Sequence, residues 1–267
     1  MKVSSLIGLV VGIAGLYLGA TLEGSNPMAV LNLPAMLIVL GGTLGATVMG
    51  TSFDSVKNIP MQYKRVFAPD SPDLNAKVTE LVGYAEAARR DGLLALDEVT
   101  NNIEDPFTKK GLQLVVDGTD PDLVADILES ENDAMRKRHA AAVQPFDKAG
   151  GYAPTMGIIG TVFGLIHVLG NLDKPATLGP SISAAFVATL LGVATANVIY
   201  LPISARMKQL SQDELHARSL IVEGILSIQA GDNPRVVQEK LITFVPPALR
   251  VDADGNGGAS NAAKAAA

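Results

Sequence analysis

Four stretches without a single Asp, Glu, Lys or Arg dominate this chain: Val3–Leu22, Gly24–Phe53, Ala149–Leu172 and Pro175–Ala205. Each exceeds the roughly 18 residues that let an apolar helix cross a bilayer. Inside lipid no water is available to bond backbone amides, which restricts such a segment to a helix or a closed barrel. Globular helices average about 10–14 residues and seldom run this far without a charge. The expectation is an all-α integral membrane protein with four transmembrane helices. The first stretch follows Lys2 and has small residues near Gly19 and Ala20, as a secretory leader would. Its apolar run is longer than the ~7–15 residues of a leader core, so it is read as a retained span.

Basic residues orient the spans. Residues 54–148 hold twelve Lys and Arg and the chain after Ala205 holds seven, whereas the turns between spans carry only Lys174. Lys2, Lys57, Lys64, Lys148, Arg206 and Lys208 therefore flank the spans on one side, which the positive-inside rule makes the cytoplasm. Both termini are expected inside the cytoplasmic membrane. The organisation that follows is a first span pair over 1–53, a large cytoplasmic helical region over 54–148, and a second span pair over 149–205. Cytoplasmic C-terminal helices over 206–250 and a disordered low-complexity tail over 251–267 complete it.

Within the cytoplasmic region, Leu74, Val78, Leu81, Val82 and Ala85 recur at helical spacing and mark one apolar face. Asp91-Gly92 and Asp105-Pro106 are breaks. Asp120-Pro121 reads as a cap followed by a first helical residue, opening a long polar helix towards the third span. A further amphipathic helix is expected around Leu215–Ile228, then a GDNP break. The chain has no cysteine, so disulfides, thiolate nucleophiles and cysteine metal sites are excluded. No P-loop, paired-histidine metal motif or nucleophile elbow argues for an enzyme. A net charge of −6 gives no ground for nucleic-acid binding.

The spans are rich in glycine at four-residue spacing, including Gly8/Gly12, Gly15/Gly19, Gly41/Gly45 and Gly160/Gly164, which favours close helix packing. Thr161 on the third span and Thr189 on the fourth each lie about 16 Å into the bilayer at 1.5 Å per residue, approached from opposite faces. Each hydroxyl could simply bond its own helix one turn back. His167 falls near the outer boundary, where it reads as an interfacial histidine with a wet ring. Pro154 fits a helix start, while Pro202 has more helix beyond it and is the better hinge. No carboxylate lies in any span, yet moving an ion through lipid ordinarily uses one. Either the chain does not conduct, or a partner brings the acid.

The segments IVLGGTLGATVMG, ARRDGLLALDEV, YAPTMGIIGTVFGLIHVLG and AFVATLLGVATANVIYLPISARMK resemble, in this order, the MotA/PomA family of flagellar stator A subunits. The likeness extends to about Arg250. It implies a ring of five such chains around two single-span MotB-type subunits, each supplying an intramembrane aspartate and anchoring to peptidoglycan. It also implies that ion flow drives torque on the rotor protein FliG. Carried over by position, the rotor contact falls on Arg89, Arg90 and Asp97. The family usually has glutamate where Asp97 stands, and Glu98 follows, so both carboxylates are candidates. Pro154 and Pro202 match prolines that couple ion passage to movement, and Thr161 and Thr189 match channel-side threonines. Sodium-using members resemble a Thr-Thr pair where this chain has Ala188-Thr189. One hydroxyl fewer points to protons as the transported ion, with no cofactor. The alternatives are a sodium-driven PomA-type stator, an ExbB/TolQ-type energiser, which typically has three spans with its large loop after the first, and a secondary transporter, against which the lack of an inverted repeat counts.

Overall fold

The computed structural model describes residues 2–24, 27–51, 73–173 and 175–250. Lys57, Lys64, Lys174 and the tail expected over 251–267 lie outside the described residues. Every regular element among the described residues is helical. In chain order these are α1 (Lys2–Leu22), α2 (Leu33–Gly50), α3 (Leu74–Asp91), α4 (Leu96–Thr100), α5 (Pro106–Val116) and α6 (Pro121–Leu169). They continue with α7 (Pro175–Thr195), α8 (Leu201–Gln229) and α9 (Pro234–Ile242). Three helical stretches are long and apolar enough to cross a membrane: α2, α6, and the run of α7 through α8. A fourth apolar stretch covers Leu6–Leu22 of α1.

The chain divides into two compact units. The first comprises residues 1–70 and 138–209 and contains α1, α2, α7, the C-terminal part of α6 and the first residues of α8. Asn32 caps α2, its side chain accepting from the Ala35 amide at 3.1 Å. Residues Leu37–Gly41 then form a π turn within that helix. One stripe of α2, spaced every four residues at Ala35, Val39, Thr43 and Thr47, is fully buried. Ala35 and Val39 cluster with Val187 and Ala188 of α7. At its C-terminal end α2 meets α6: the Lys148 ammonium donates to the carbonyl of Gly50, satisfying one of the last unpaired carbonyls of that helix. The outward faces of α1, α6 and α7 are lined with exposed Leu, Ile, Val and Phe. An apolar surface of that extent needs lipid or protein to cover it.

The second unit comprises residues 71–137 and 210–267, so two stretches far apart in the sequence pack together. The apolar face anticipated on α3 is buried at Val78, Leu81 and Ala85. It meets Phe107 and Leu112 of α5, Leu128 of α6, Ile225 of α8 and Leu241 of α9 in one core. The break residues act as their types dictate. Gly92 adopts φ 85°, ending α3 in a conformation that side-chain-bearing residues avoid. Asp105 caps α5 through the Phe107 amide, Asp120 accepts from the Asp122 amide ahead of Pro121, and Asn233 caps α9. Arg218 lies inside this unit with its guanidinium 4.6 Å above the Phe107 ring centroid, where it also pairs with Glu131 at 3.7 Å.

Candidate functional site

Small residues let α6 and α7 approach at backbone distance. A Cβ on Gly157 would lie 2.9 Å from the Ala188 carbonyl oxygen and 3.1 Å from the Thr189 Cα. Gly160 and Gly164 face the methyl groups of Ala188 and Ala185, and Gly192 abuts the Ala153 carbonyl. Such proximity is what allows polar groups of two span helices to meet.

At this seam the hydroxyls of Thr161 and Thr189 are hydrogen-bonded to each other. The Thr161 oxygen also lies 3.1 Å from the Gly157 carbonyl and 3.2 Å from that of Ala185. Thr189 reaches across to Gly157 at 3.4 Å. Thr161 thus bonds its own helix one turn back and also reaches across the seam, whereas the bonds described for Thr189 all cross to α6. Four oxygens share two hydroxyl protons, and a hydroxyl donates only one bond at a time. The cluster is acceptor-rich, which suits it to a passing proton donor or hydrated cation. Ala188, paired with these threonines in the sequence reading, is 1% exposed and packs towards Gly160 and the α2 cluster. Its position makes it a packing residue beside the hydroxyls.

Both prolines sit inside longer helical stretches. The helix-start reading of Pro154 does not hold, because α6 begins at Pro121 and continues through it, with Pro145 a second internal proline. A helix accepts such a residue by leaving one carbonyl without its amide partner and bending there. Pro202 follows a π turn over Ala196–Tyr200, in which the Leu201 amide bonds the Ala196 carbonyl five residues back. The π turn changes the helical register just where proline removes a donor, a local arrangement open to bending.

On the second unit, Arg89 and Arg90 end α3 and Asp97 and Glu98 open α4, all four exposed. Arg89 and Arg90 border a groove of about 400 Å³ with Glu86, Asn233, Pro234 and Arg235. Arg90 is tied to Asp91 through Nε and Nη2, both at 2.9 Å, and that bond pushes its pKa further up. Glu98 borders a separate groove with Tyr84 and Asn102. The exposed turn between the pairs carries Leu94, 77% exposed. His167 is exposed near the end of α6, and no cluster of metal-ligating side chains occurs among the described residues.

Sequence reasoning missed Gly157 and Gly192, the residues that bring the hydroxyls together, although their spacing from Gly160 and Ala188 carried a signal. It also missed Pro145, Pro180 and the two π turns.

Residues 99–219 match the MotA/TolQ/ExbB proton channel family. Motility protein A of Bacillus subtilis is 37% identical over 268 residues, covering 99% of this chain and 98% of that protein. A C. jejuni MotAB structure superposes with a TM-score of 0.87 at 32% identity, covering 92% of this chain and 96% of that one. The flagellar MotAB stator complex of Bacillus subtilis gives 0.85 at 37%, covering 91% and 96%. Similarity along almost the whole chain favours the flagellar branch over the ExbB/TolQ alternative. The chain is an integral membrane protein that belongs to the MotA family of flagellar stator subunits.

Proposed function

We propose that this chain, with a MotB-type single-span partner, couples inward proton flow through the bacterial cytoplasmic membrane to torque on the rotor protein FliG. The similar Bacillus subtilis and C. jejuni structures are MotAB complexes, which supports a partner of that kind. Four spans, both termini in the cytoplasm and a pentameric ring around the partner belong to the same proposal. No cofactor and no covalent chemistry is needed.

The observation that carries the reading is the pairing of an acid-free span region with the Thr161–Thr189 oxygen cluster. Hydroxyls and carbonyls can solvate an ion in transit, but they titrate too far from neutrality to hold a proton by themselves. The partner's aspartate would bind the ion and the α6–α7 wall would stabilise it near mid-membrane. One charge crossing 100 mV releases about 2.3 kcal/mol. An exposed ion pair between Arg89 or Arg90 and the rotor, or between Asp97 or Glu98 and the rotor, is worth ~0–1 kcal/mol. Contacts that weak can form and break within each step.

Swimming speed measured against external sodium at fixed pH tests the ion. The proposal expects a flat response. A steep rise with sodium would overturn proton drive in favour of a PomA-type stator.

A further inference from the structure

Asp147 lies on α6, seven residues before Pro154, at the end of the span assigned to the cytoplasm. Its Oδ1 accepts from the Ser204 hydroxyl at 2.5 Å, and its Oδ2 pairs with the Lys208 ammonium at 2.6 Å. Ser204 and Lys208 are four residues apart on α8 and so share a face. They follow Pro202 by two and six residues. Ser204 is 1% exposed, so Asp147 is its hydrogen-bond acceptor with water held away. Around this group Val143, Phe146 and Met207 form a small buried cluster, and Gly150 gives the Leu201 side chain room to lie against α6. The neighbouring Lys148 is turned to the Gly50 carbonyl and does not compete for the carboxylate. Partial burial alone would raise the Asp147 pKa, but the bonds from Lys208 and Ser204 outweigh it and hold the carboxyl below its ordinary range.

A bend in a helix moves what lies beyond it only if the far arm is held against something. On one side of Pro202 lies the π turn, with its changed register. On the other, α8 is gripped by polar and apolar contacts to α6. We propose that Asp147, Ser204 and Lys208 form a clasp that fixes α8 to α6 just past Pro202 and the π turn before it, so that ion-driven movement is passed along α8 and not lost as local flexing. Asp147 is a positioning residue in this scheme and stands outside the ion path. The clasp rests on the stator reading, because only a chain that converts ion flow into movement has a use for it.

The test uses the full chain in complex with its single-span partner. Asp147→Asn, Ser204→Ala, Lys208→Asp and the Asp147→Lys/Lys208→Asp exchange are compared with wild type. Membrane level, ion flux in proteoliposomes and stall torque of tethered cells are measured for each. The clasp predicts at least a twofold loss of stall torque for Asp147→Asn and Ser204→Ala at unchanged level and flux, with recovery of more than half in the charge exchange. Unchanged torque in the single variants overturns it. So does a fall in flux parallel to torque, which would place Asp147 in the ion path. Lowered membrane level in every variant including Ser204→Ala, unrelieved by the exchange, overturns it in favour of a role in folding alone. A wild-type chain that neither conducts with its partner nor turns a motor sinks the stator reading itself and the clasp with it.

Discussion

Replacing Gly157 by alanine tests whether the hydroxyl cluster depends on backbone contact between α6 and α7. The added Cβ would meet the Ala188 carbonyl oxygen at 2.9 Å, the Thr189 Cα at 3.1 Å and the Gly192 Cα at 3.4 Å. All three belong to the backbone of α7, so no side chain can rotate aside. Ordinary contact begins near 3.4 Å, and relieving the closest clash would require the helices to part by about 0.5 Å, a kind of overpacking that costs typically 1–3 kcal/mol. The Thr189 bond to the Gly157 carbonyl is already 3.4 Å, and that separation would carry it beyond hydrogen-bonding reach. Gly151→Ala is the control, since nothing lies within 4 Å of its added carbon and helix propensity alone would gain about 1 kcal/mol. Unfolding of the purified complex in SDS, followed by circular dichroism, reads the stability, and proteoliposome flux reads the path. The expectation is a loss of about 1–3 kcal/mol and reduced flux for Gly157→Ala, with neither for the control. A Gly157→Ala protein as stable and conductive as wild type would show that the hydroxyl cluster does not depend on this backbone contact.

Three further outcomes follow from the same geometry. Thr189→Val keeps the side-chain shape but removes one oxygen of the cluster, so swimming speed is expected to fall while Thr189→Ser stays near wild type; equal speeds in all three would remove the hydroxyl from the path. Because Arg90 is occupied by Asp91 and no acid bonds Arg89 among the described residues, Arg89→Glu is expected to cut stall torque more than Arg90→Glu, with membrane levels unchanged; loss of assembly would make these residues structural. Burial first, and the bond to Glu80 second, push the Tyr84 pKa well above its ordinary 10.0. The folded chain holds this proton more tightly than the unfolded one, so the contribution is intact below about pH 10 and is lost as pH rises towards the folded value. Alkaline absorbance titration is expected to show the same number of tyrosines ionising by pH 11 in wild type and Tyr84→Phe; one fewer in the variant would contradict it.

Local chemistry made much of the fold legible. Asp120-Pro121, Asp105-Pro106 and Asp91-Gly92 bound their helices as residue type requires, because caps and turn residues act through the adjacent backbone. The matched depth of Thr161 and Thr189 followed from helix rise alone. Their contact did not, since depth leaves the rotation of each helix open, and it is Gly157 and Gly192 that set it. Ala188 illustrates the same limit: one step along the helix from Thr189 it turns about 100° away and packs beside α2. Pro154 was misread because the rule for proline is local, while a helix packed on its neighbours can tolerate one lost bond. The bond between Asp147 and Ser204 joins residues 57 apart and left no periodic or compositional trace.

The claim beneath all of this is that the chain forms the uncharged wall of an ion conduit and that a second protein brings the acid. Proton flux into liposomes, measured for the purified chain alone and for the chain with its single-span partner, tests it most directly. Dissipation of a pH gradient is expected only when a partner with its intramembrane aspartate is present. Equal flux from the chain by itself would contradict it.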